Sequence, residues 1–394
     1  MKKTIKDYDL SSKKVIIRCD LNVPMQDGKI TDETRIKASL KTINYALDHK
    51  AKVIILSHLG KIKTEEDKEN NSLYPVSVRL SELLGQEVIF SKETHGPELE
   101  TKVANLKDGD VLLVENTRFE DLDNKKESSC DPELSKYWAN LGDIFINDAY
   151  GTCHRAHASN VGVAKLLPNG IGFLVEEEIN KLDEIINEDT HPYIVVMGGK
   201  KVSDKIKLIE NIIPKCDKLI IGGAMAYTFL KALGNNIGGS IYEEDSLSYC
   251  KNLVAKYPNK IILPVDTKVS SSLDSPTYIV KEVGTFTDSD IGFDIGTKTI
   301  KKFQDCLEGA KRVIINGPMG VFERPLYQEG TKAIYSYLTT HNIKTLIGGG
   351  DSAASVKQLG FDGKFYHIST GGGATLEYLE GKDLPGISVI NNEE

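Results

Sequence analysis

The chain has 394 residues, more than one ordinary hydrophobic core serves, so two domains are expected. With 49 Lys and Arg against 57 Asp and Glu, the net charge of −8 argues against a general nucleic-acid binder, while leaving room for a local basic pocket. No run is long and apolar enough to span a membrane, and Lys6, Asp7 and Asp9 interrupt any apolar leader after Met1-Lys2-Lys3, so a cytoplasmic protein is expected.

In chain order, short apolar runs fall at 15–17, 53–56, 111–114 and 144–146, then at 194–197, 219–221, 261–263, 313–315 and 346–347. Segments of helical period separate most of them. Continuous apolar runs alternating with helices describe buried parallel sheets covered on both faces. Helices are predicted over 224–233, 352–359 and 374–380, each stopped by a glycine (Gly234, Gly360, Gly381) where a left-handed cap belongs. Leu167-Pro168-Asn169-Gly170-Ile171-Gly172 reads as a domain junction, and the helical stretch 175–186 after it as a connector. The fold class is therefore α/β: two Rossmann-like domains, each a parallel sheet with helices on both faces, joined by a hinge helix. The six cysteines are scattered, without C-x-x-C or zinc spacing, and are read as reduced thiols.

Ligands of such sheets bind at the carboxyl ends of the strands. In the first half those ends carry Arg18, Asp20 and Asn22; Ser57, His58 and Lys61; Glu115, Asn116 and Arg118; and Asn147, Asp148, His154, Arg155 and His157. Any one of these could be a solvated surface group. Together, after four different strands, they would repel one another unless a small, highly charged anion joined them.

The second half is built differently, with glycine turns that are not Walker A loops: Gly198-Gly199, Gly222-Gly223, Gly348-Gly349-Gly350-Asp351 and Gly371-Gly372-Gly373. Glycine lets backbone N–H groups approach a phosphate closely, and the last two turns open helices whose N-termini favour anions. A lone carboxylate there, Asp351, suits Mg²⁺ held largely by substrate phosphates, and it could also cap the helix that follows. Lys201 and Lys205 are four apart and would share a helix face, as a polyphosphate clamp or as a solvated surface. The contrast points to two phosphate-bearing ligands, one on each half.

Lys14-Val15-Ile16-Ile17-Arg18-Cys19-Asp20-Leu21-Asn22-Val23-Pro24 resembles the signature segment of phosphoglycerate kinases. Ser57-His58-Leu59-Gly60, Glu115-Asn116-Thr117-Arg118-Phe119, the run from Asn147 to His157, Lys201-Val202-Ser203-Asp204-Lys205, the run from Asn316 to Glu323, and the Gly348 and Gly371 segments follow in that family's order. The resemblance spans essentially the whole chain. It implies reversible phosphoryl transfer between 1,3-bisphosphoglycerate and Mg-ADP, giving 3-phosphoglycerate and ATP, by a monomer without nucleic-acid or membrane partners. It also implies a phosphoglycerate domain over 1–170, with 382–394 returning to it, and a nucleotide domain over 171–381 that includes the connecting helix.

By the same resemblance, Asp20, Asn22, Arg35, His58, Lys61, Arg118 and Arg155 form the phosphoglycerate site, with Arg35 reaching the transferring group. Lys201, Lys205, Gly222, Gly223, Glu323, Gly350, Asp351, Ser352 and Ala353 form the nucleotide site, with Asp351 toward Mg²⁺ and Glu323 toward the ribose. Gly372 and Gly373 cradle the moving phosphoryl group, beside Arg35 and Lys201. Three positions depart from the family's usual residues: Lys61 replaces an Arg, Lys200 an Ala and Ser352 a Thr. Lys61 keeps charge but loses the planar fork, Ser352 keeps a hydroxyl, and Lys200, beside the nucleotide clamp, either adds phosphate affinity or merely faces solvent, the latter reading being favoured. A phosphometabolite-binding protein would not need Asp351 beside a glycine cradle, and a nicotinamide-dependent dehydrogenase would want a G-x-G-x-x-G after an early strand, which is missing.

Overall fold

The computed structural model describes residues 1–393. It divides into two compact units, Met1–Asn180 with the chain from Asp383 onward, and Lys181–Lys382. The division passes through the helix Phe173–Asn187.

The first unit holds a six-stranded parallel sheet, ordered Val88–Ser91, Val111–Val114, Lys52–Leu56, Lys14–Arg18, Ile144–Asn147, Asn169–Ile171. Alternate residues of the central strands pack on opposite faces. Val15, Ile17, Val53 and Ile55 lie against Ile36, Ile43, Val76 and Leu80 of the helices Thr34–Asp48 and Tyr74–Leu84. Ile16, Ile54, Leu112 and Phe145 are buried as well, so neither face meets water, which explains the unbroken apolar runs. Register sets Arg18 beside Leu56 on one side and Asn147 on the other, which brings the strand-end loops together.

The segment read as a junction is an edge strand instead. Ile171 donates to the carbonyl of Lys3 at 2.9 Å, and Gly170 lies so close to Thr4 that an added Cβ would come within 3.0 Å of its backbone. Glycine here serves close chain approach rather than flexibility. The returning C-terminal chain is anchored in this unit: Gly386 donates to Cys153 O at 2.8 Å, and Asn147 Nδ2 donates to Gly386 O at 3.0 Å.

The second unit has its own six-stranded parallel sheet, ordered Ile261–Ile262, Lys218–Ile221, Tyr193–Met197, Arg312–Asn316, Lys344–Gly348, His367–Ile368. Gly234, Gly360 and Gly381 end their helices with φ of +91°, +80° and +82°, the left-handed geometry expected of them. A three-stranded antiparallel sheet, Ile279–Glu282, Asp266–Ser270, Ile291–Ile295, was not anticipated. Its central strand is buried yet carries Asp266 and Lys268, so no apolar run announces it. Specific partners make that burial tolerable. Asp266 Oδ1 accepts from Thr299 N at 2.8 Å, Lys268 pairs with Glu329 at 2.7 Å, and Asp294 Oδ2 accepts from Gly330 N at 2.9 Å. All six cysteines are free.

Candidate active site

At the carboxyl ends of the first sheet, Arg18 is fully buried and acts as a hub. Its Nε donates to Ser159 Oγ at 2.9 Å, Nη1 donates to the carbonyl of Cys19, and Nη2 lies 3.1 Å from His58 Nδ1. Since Arg18 can only donate, His58 Nδ1 accepts and its proton sits on Nε2. Burial, followed by the charges of Arg18, Arg118, His157 and Arg35, pushes the His58 imidazole well below its ordinary pKa, so it is neutral.

Backbone and side-chain bonds tie the neighbouring loops together. Gly60 N donates to Asn22 Oδ1 at 2.8 Å, Arg118 Nη1 to Gly60 O at 2.7 Å, and Arg35 Nη1 to Asn22 O at 2.7 Å while standing 3.4 Å from Asp20. Two nitrogens in this region are buried without a hydrogen-bond partner, Nε of Arg118 and Nδ1 of His157. Burial, and then repulsion from Arg155 and Arg18, lowers the pKa of Arg118. Burial and then Arg18, Arg118 and Arg155 push His157 down to about 4. Arg118 opens into a cavity of about 520 Å³ lined also by Lys61, Lys63, Lys125 and Arg155, against the single carboxylate of Asp121. This face has more positive charge than it can neutralise and lacks acceptors for its donors.

The second unit has two adjoining cavities. One, of about 660 Å³, is lined by Lys200, Lys201, Lys205, Asn316, Gly349, Gly350, Asp351, Ser352, Gly372 and Gly373, among others. The helices Gly350–Gln358 and Gly373–Leu379 both begin there without a side-chain cap, although Ala374 N already donates to Gly371 O at 3.0 Å. Lys205 donates to Asn316 Oδ1, and burial lowers its pKa. The other cavity, of about 400 Å³, is mostly apolar, with Tyr227, Ile241, Leu273, Phe293, Val321 and Phe322 in its walls and Glu323 at its edge. Gly199, Lys200 and Asp351 line both cavities. An apolar slot continuous with a cationic, amide-rich one has the form of a nucleotide site.

A family model described as phosphoglycerate kinase matches residues 5–382. The chain belongs to the phosphoglycerate kinase family. The phosphoglycerate kinase of Enterococcus faecalis is 55% identical over 396 residues, and that of Fusobacterium nucleatum 54% identical over 398, each alignment covering all of both chains. The solved phosphoglycerate kinase of Coxiella burnetii superposes with a TM-score of 0.89 at 36% identity, covering 99% of this chain and 98% of its own. That of Pyrococcus horikoshii gives 0.84 at 32% identity, covering 98% of each chain.

With the kinase family established, several positions differ from their sequence reading. Lys201 and Lys205 do not share an α-helical face: Lys201 is in irregular chain, Lys205 ends the short 3-10 turn Ser203–Lys205, and the α-helix starts at Ile206. Asp351 does not cap its helix; Gly349 is the N-cap and Asp351 stands exposed in the first turn, free to face a ligand. Ala353 lines neither cavity, and its N–H is already given to Gly349 O at 3.0 Å. Gly222 is not among the residues lining the apolar cavity, and a side chain there would strike Met319. Gly223 does line it, at φ +63°, with Gly199 and Pro318 too near its Cα to admit a Cβ. Ser352 is buried and its Oγ accepts from Gly317 N at 2.6 Å, so its hydroxyl holds a neighbouring loop.

The apolar walls were missed. Tyr227 comes from a helix, Leu273 from a loop, and Ile291 and Phe293 from the unanticipated sheet, so no contiguous motif marks them. The alternation in Ile291-Gly292-Phe293 was the one available signal.

Proposed function

We propose that the first unit binds the phosphoglycerate and the second the nucleotide, and that transfer follows closure of the two. The reaction is that of the family: reversible phosphoryl transfer between 1,3-bisphosphoglycerate and ADP, giving 3-phosphoglycerate and ATP. The observation that carries the assignment of the first unit is its surplus of cationic donors. Arg118 Nε is buried without an acceptor, and Arg118 shares its cavity with Lys61, Lys63, Lys125 and Arg155, which together lack what a small phosphorylated carboxylate provides.

In the ATP-consuming direction the nucleophile is a carboxylate, ionised at neutral pH, so no general base is required. The chain's task is positioning and charge stabilisation. Asp20, Asn22, His58, Lys61, Arg118 and Arg155 orient the phosphoglycerate. Arg35, held by Asn22 O and Asp20, reaches the moving group. Lys201 and Lys205 hold the nucleotide phosphates. Glu323 takes the ribose hydroxyls. The Gly350 and Gly372-Gly373 amides face the phosphates, the latter toward the group in transfer.

Among the described residues no cluster of three His, Cys, Asp or Glu side chains could hold a metal by itself. The exposed Asp351 beside the amide-rich cavity instead fits Mg²⁺ carried by a nucleotide, which needs only one or two protein carboxylates. Bound there, the ion would neutralise phosphate charge. The protein is read as a cytoplasmic monomer. Among its described residues no helix is long and apolar enough to cross a membrane.

The test is ATP-dependent formation of 1,3-bisphosphoglycerate from 3-phosphoglycerate, with Arg35→Ala and Lys201→Ala as variants. Both should lose at least about 100-fold in kcat/KM, as groups stabilising transferring charge do. Full activity in both would sink the site assignment. Scattering with both ligands bound should show compaction, since closure would exclude water from the acyl phosphate; an unchanged radius refutes the hinge.

A further inference from the structure

We propose that Lys200 is a further nucleotide-binding residue, one that grips the α-phosphate of both ATP and ADP. This rests on reading the second unit as the nucleotide site.

Lys200 was expected to face solvent. It is exposed, yet it lines both the apolar cavity and the amide-rich one. The residues common to the two cavities mark where a nucleoside joins its phosphate chain, and the group at that joint is the α-phosphate. The backbone leading to Lys200 is fixed. Gly199 N donates to Pro318 O at 3.1 Å, and Gly199 O accepts from Met225 N at 2.9 Å. The lysine therefore starts from an anchored position rather than a loose loop.

Its charge has no other assignment. Among the described residues neither an ion pair nor a hydrogen bond engages the Lys200 ammonium. Arg324, the other cation of the apolar cavity, is paired with Asp274 at 2.7 Å. Lys205 is engaged with Asn316. Lys200 is thus the cation left where the two cavities meet, beside Asp351.

The α-phosphate is common to substrate and product. A contact to it strengthens ground-state binding of ATP and ADP alike, and so acts on KM rather than on the chemical step. The position that departs from the family's usual Ala then tunes nucleotide affinity, while Lys201, further along the phosphate chain, acts on the group in transfer.

The experiment is calorimetric binding of ADP, AMP and adenosine to the full chain, for wild type, Lys200→Ala, Lys200→Arg and Lys205→Ala. For Lys200→Ala, ADP and AMP should weaken by a common factor of about three to ten, the range for a partly exposed charge-assisted contact. Adenosine should bind as to wild type, Lys200→Arg should restore most of the loss, and KM for ATP and for ADP should rise together. Equal affinities of wild type and Lys200→Ala for AMP, or a loss shared by adenosine, overturns the proposal. A loss for ADP without one for AMP moves the contact off the α-phosphate and also overturns it. Lys205→Ala separates the two levels: if it weakens ADP while Lys200→Ala does not, only Lys200 is misassigned, and if neither does, the nucleotide site is misplaced.

Discussion

His157 offers a quantitative test of the crowded cationic face. It is 5% exposed, and its folded pKa of about 4 lies below the ordinary histidine value of 6.5. A depressed histidine pKa means that the unfolded chain takes up the proton first. The stabilisation is then fully present above about pH 6.5 and is lost as pH falls toward 4. Between pH 8 and pH 5, linkage with these two values removes about 2 kcal/mol of stability. Asp148, pushed up to about 7 by burial, tilts the other way: its contribution is present at low pH and lost as pH rises through 7. A wild-type profile alone therefore mixes the two, and the informative quantity is wild type minus His157→Gln, in which Asp148 cancels and His58 enters only through its lesser coupling to His157. The chain has one tryptophan, Trp138, fully buried in the same unit, so its fluorescence reports unfolding of that unit. Urea is the right denaturant, since guanidinium would screen the charges. Lowering the pH from 8 to 5 should cost wild type more than the variant, by on the order of 1 M in urea midpoint at a slope of about 2 kcal/mol/M. Parallel midpoints down to pH 5 would refute the claim that His157 is held neutral by its surroundings.

Three further substitutions probe the site. Gly372 has φ +52° and ψ −114° with nothing within 4 Å of an added Cβ, so Gly372→Ala tests conformation rather than space; strain of about 1–3 kcal/mol should reshape the loop and lower kcat about tenfold or more, and an unchanged kcat would remove Gly372 from the cradle. Lys61→Arg restores a planar fork in the first cavity and should lower KM for 3-phosphoglycerate about two- to fivefold; identical kinetics would mean that Lys61 does not touch the substrate. Asp351→Asn should raise the Mg²⁺ concentration giving half-maximal rate by about tenfold, while adenosine affinity, set by the apolar walls, stays put; an unshifted Mg²⁺ titration would count against Asp351 as the metal-side carboxylate.

Much of the scaffold could be read ahead because the relevant signals are contiguous. Fully buried parallel strands must be apolar throughout, and Val15-Ile16-Ile17 or Leu346-Ile347 has no other good environment. Strand ends are where the loops emerge, so Arg18, His58 and Arg118 could be brought together on paper. What escaped detection depends on partners distant in sequence. The strand Asp266–Ser270 buries charges whose compensation comes from Thr299 and Glu329, neither of them visible locally. Glu127 is the counterpart in the first unit. It is fully buried, accepts from Ser159 N at 2.8 Å, and so supports the residue whose hydroxyl takes Arg18 Nε. Lys200 could not be decided from sequence, because exposure and ligand contact look alike there; the structure adds that it lines both cavities.

The two halves solve anion binding at different cost to the empty protein. In the second unit the donors are largely backbone N–H groups at helix ends, which repel nothing when no ligand is present. In the first unit they are arginines, lysines and histidines, and the pKa values of Arg118, His58 and His157 are lowered first by burial and then by their mutual repulsion. An anion bound among them relieves that repulsion and stabilises the protonated histidines, so their pKa values must climb on binding. By linkage, the histidines of the first unit take up protons when phosphoglycerate binds, against the protons released by the ligand's own phosphate, whose second pKa is about 6. Calorimetry of 3-phosphoglycerate in buffers of different ionisation enthalpy at about pH 5.5, for wild type against His157→Gln, removes the ligand's own ionisation: wild type should take up more protons than the variant, and equal proton counts would show that the anion sits too far from His157 to repay its crowding.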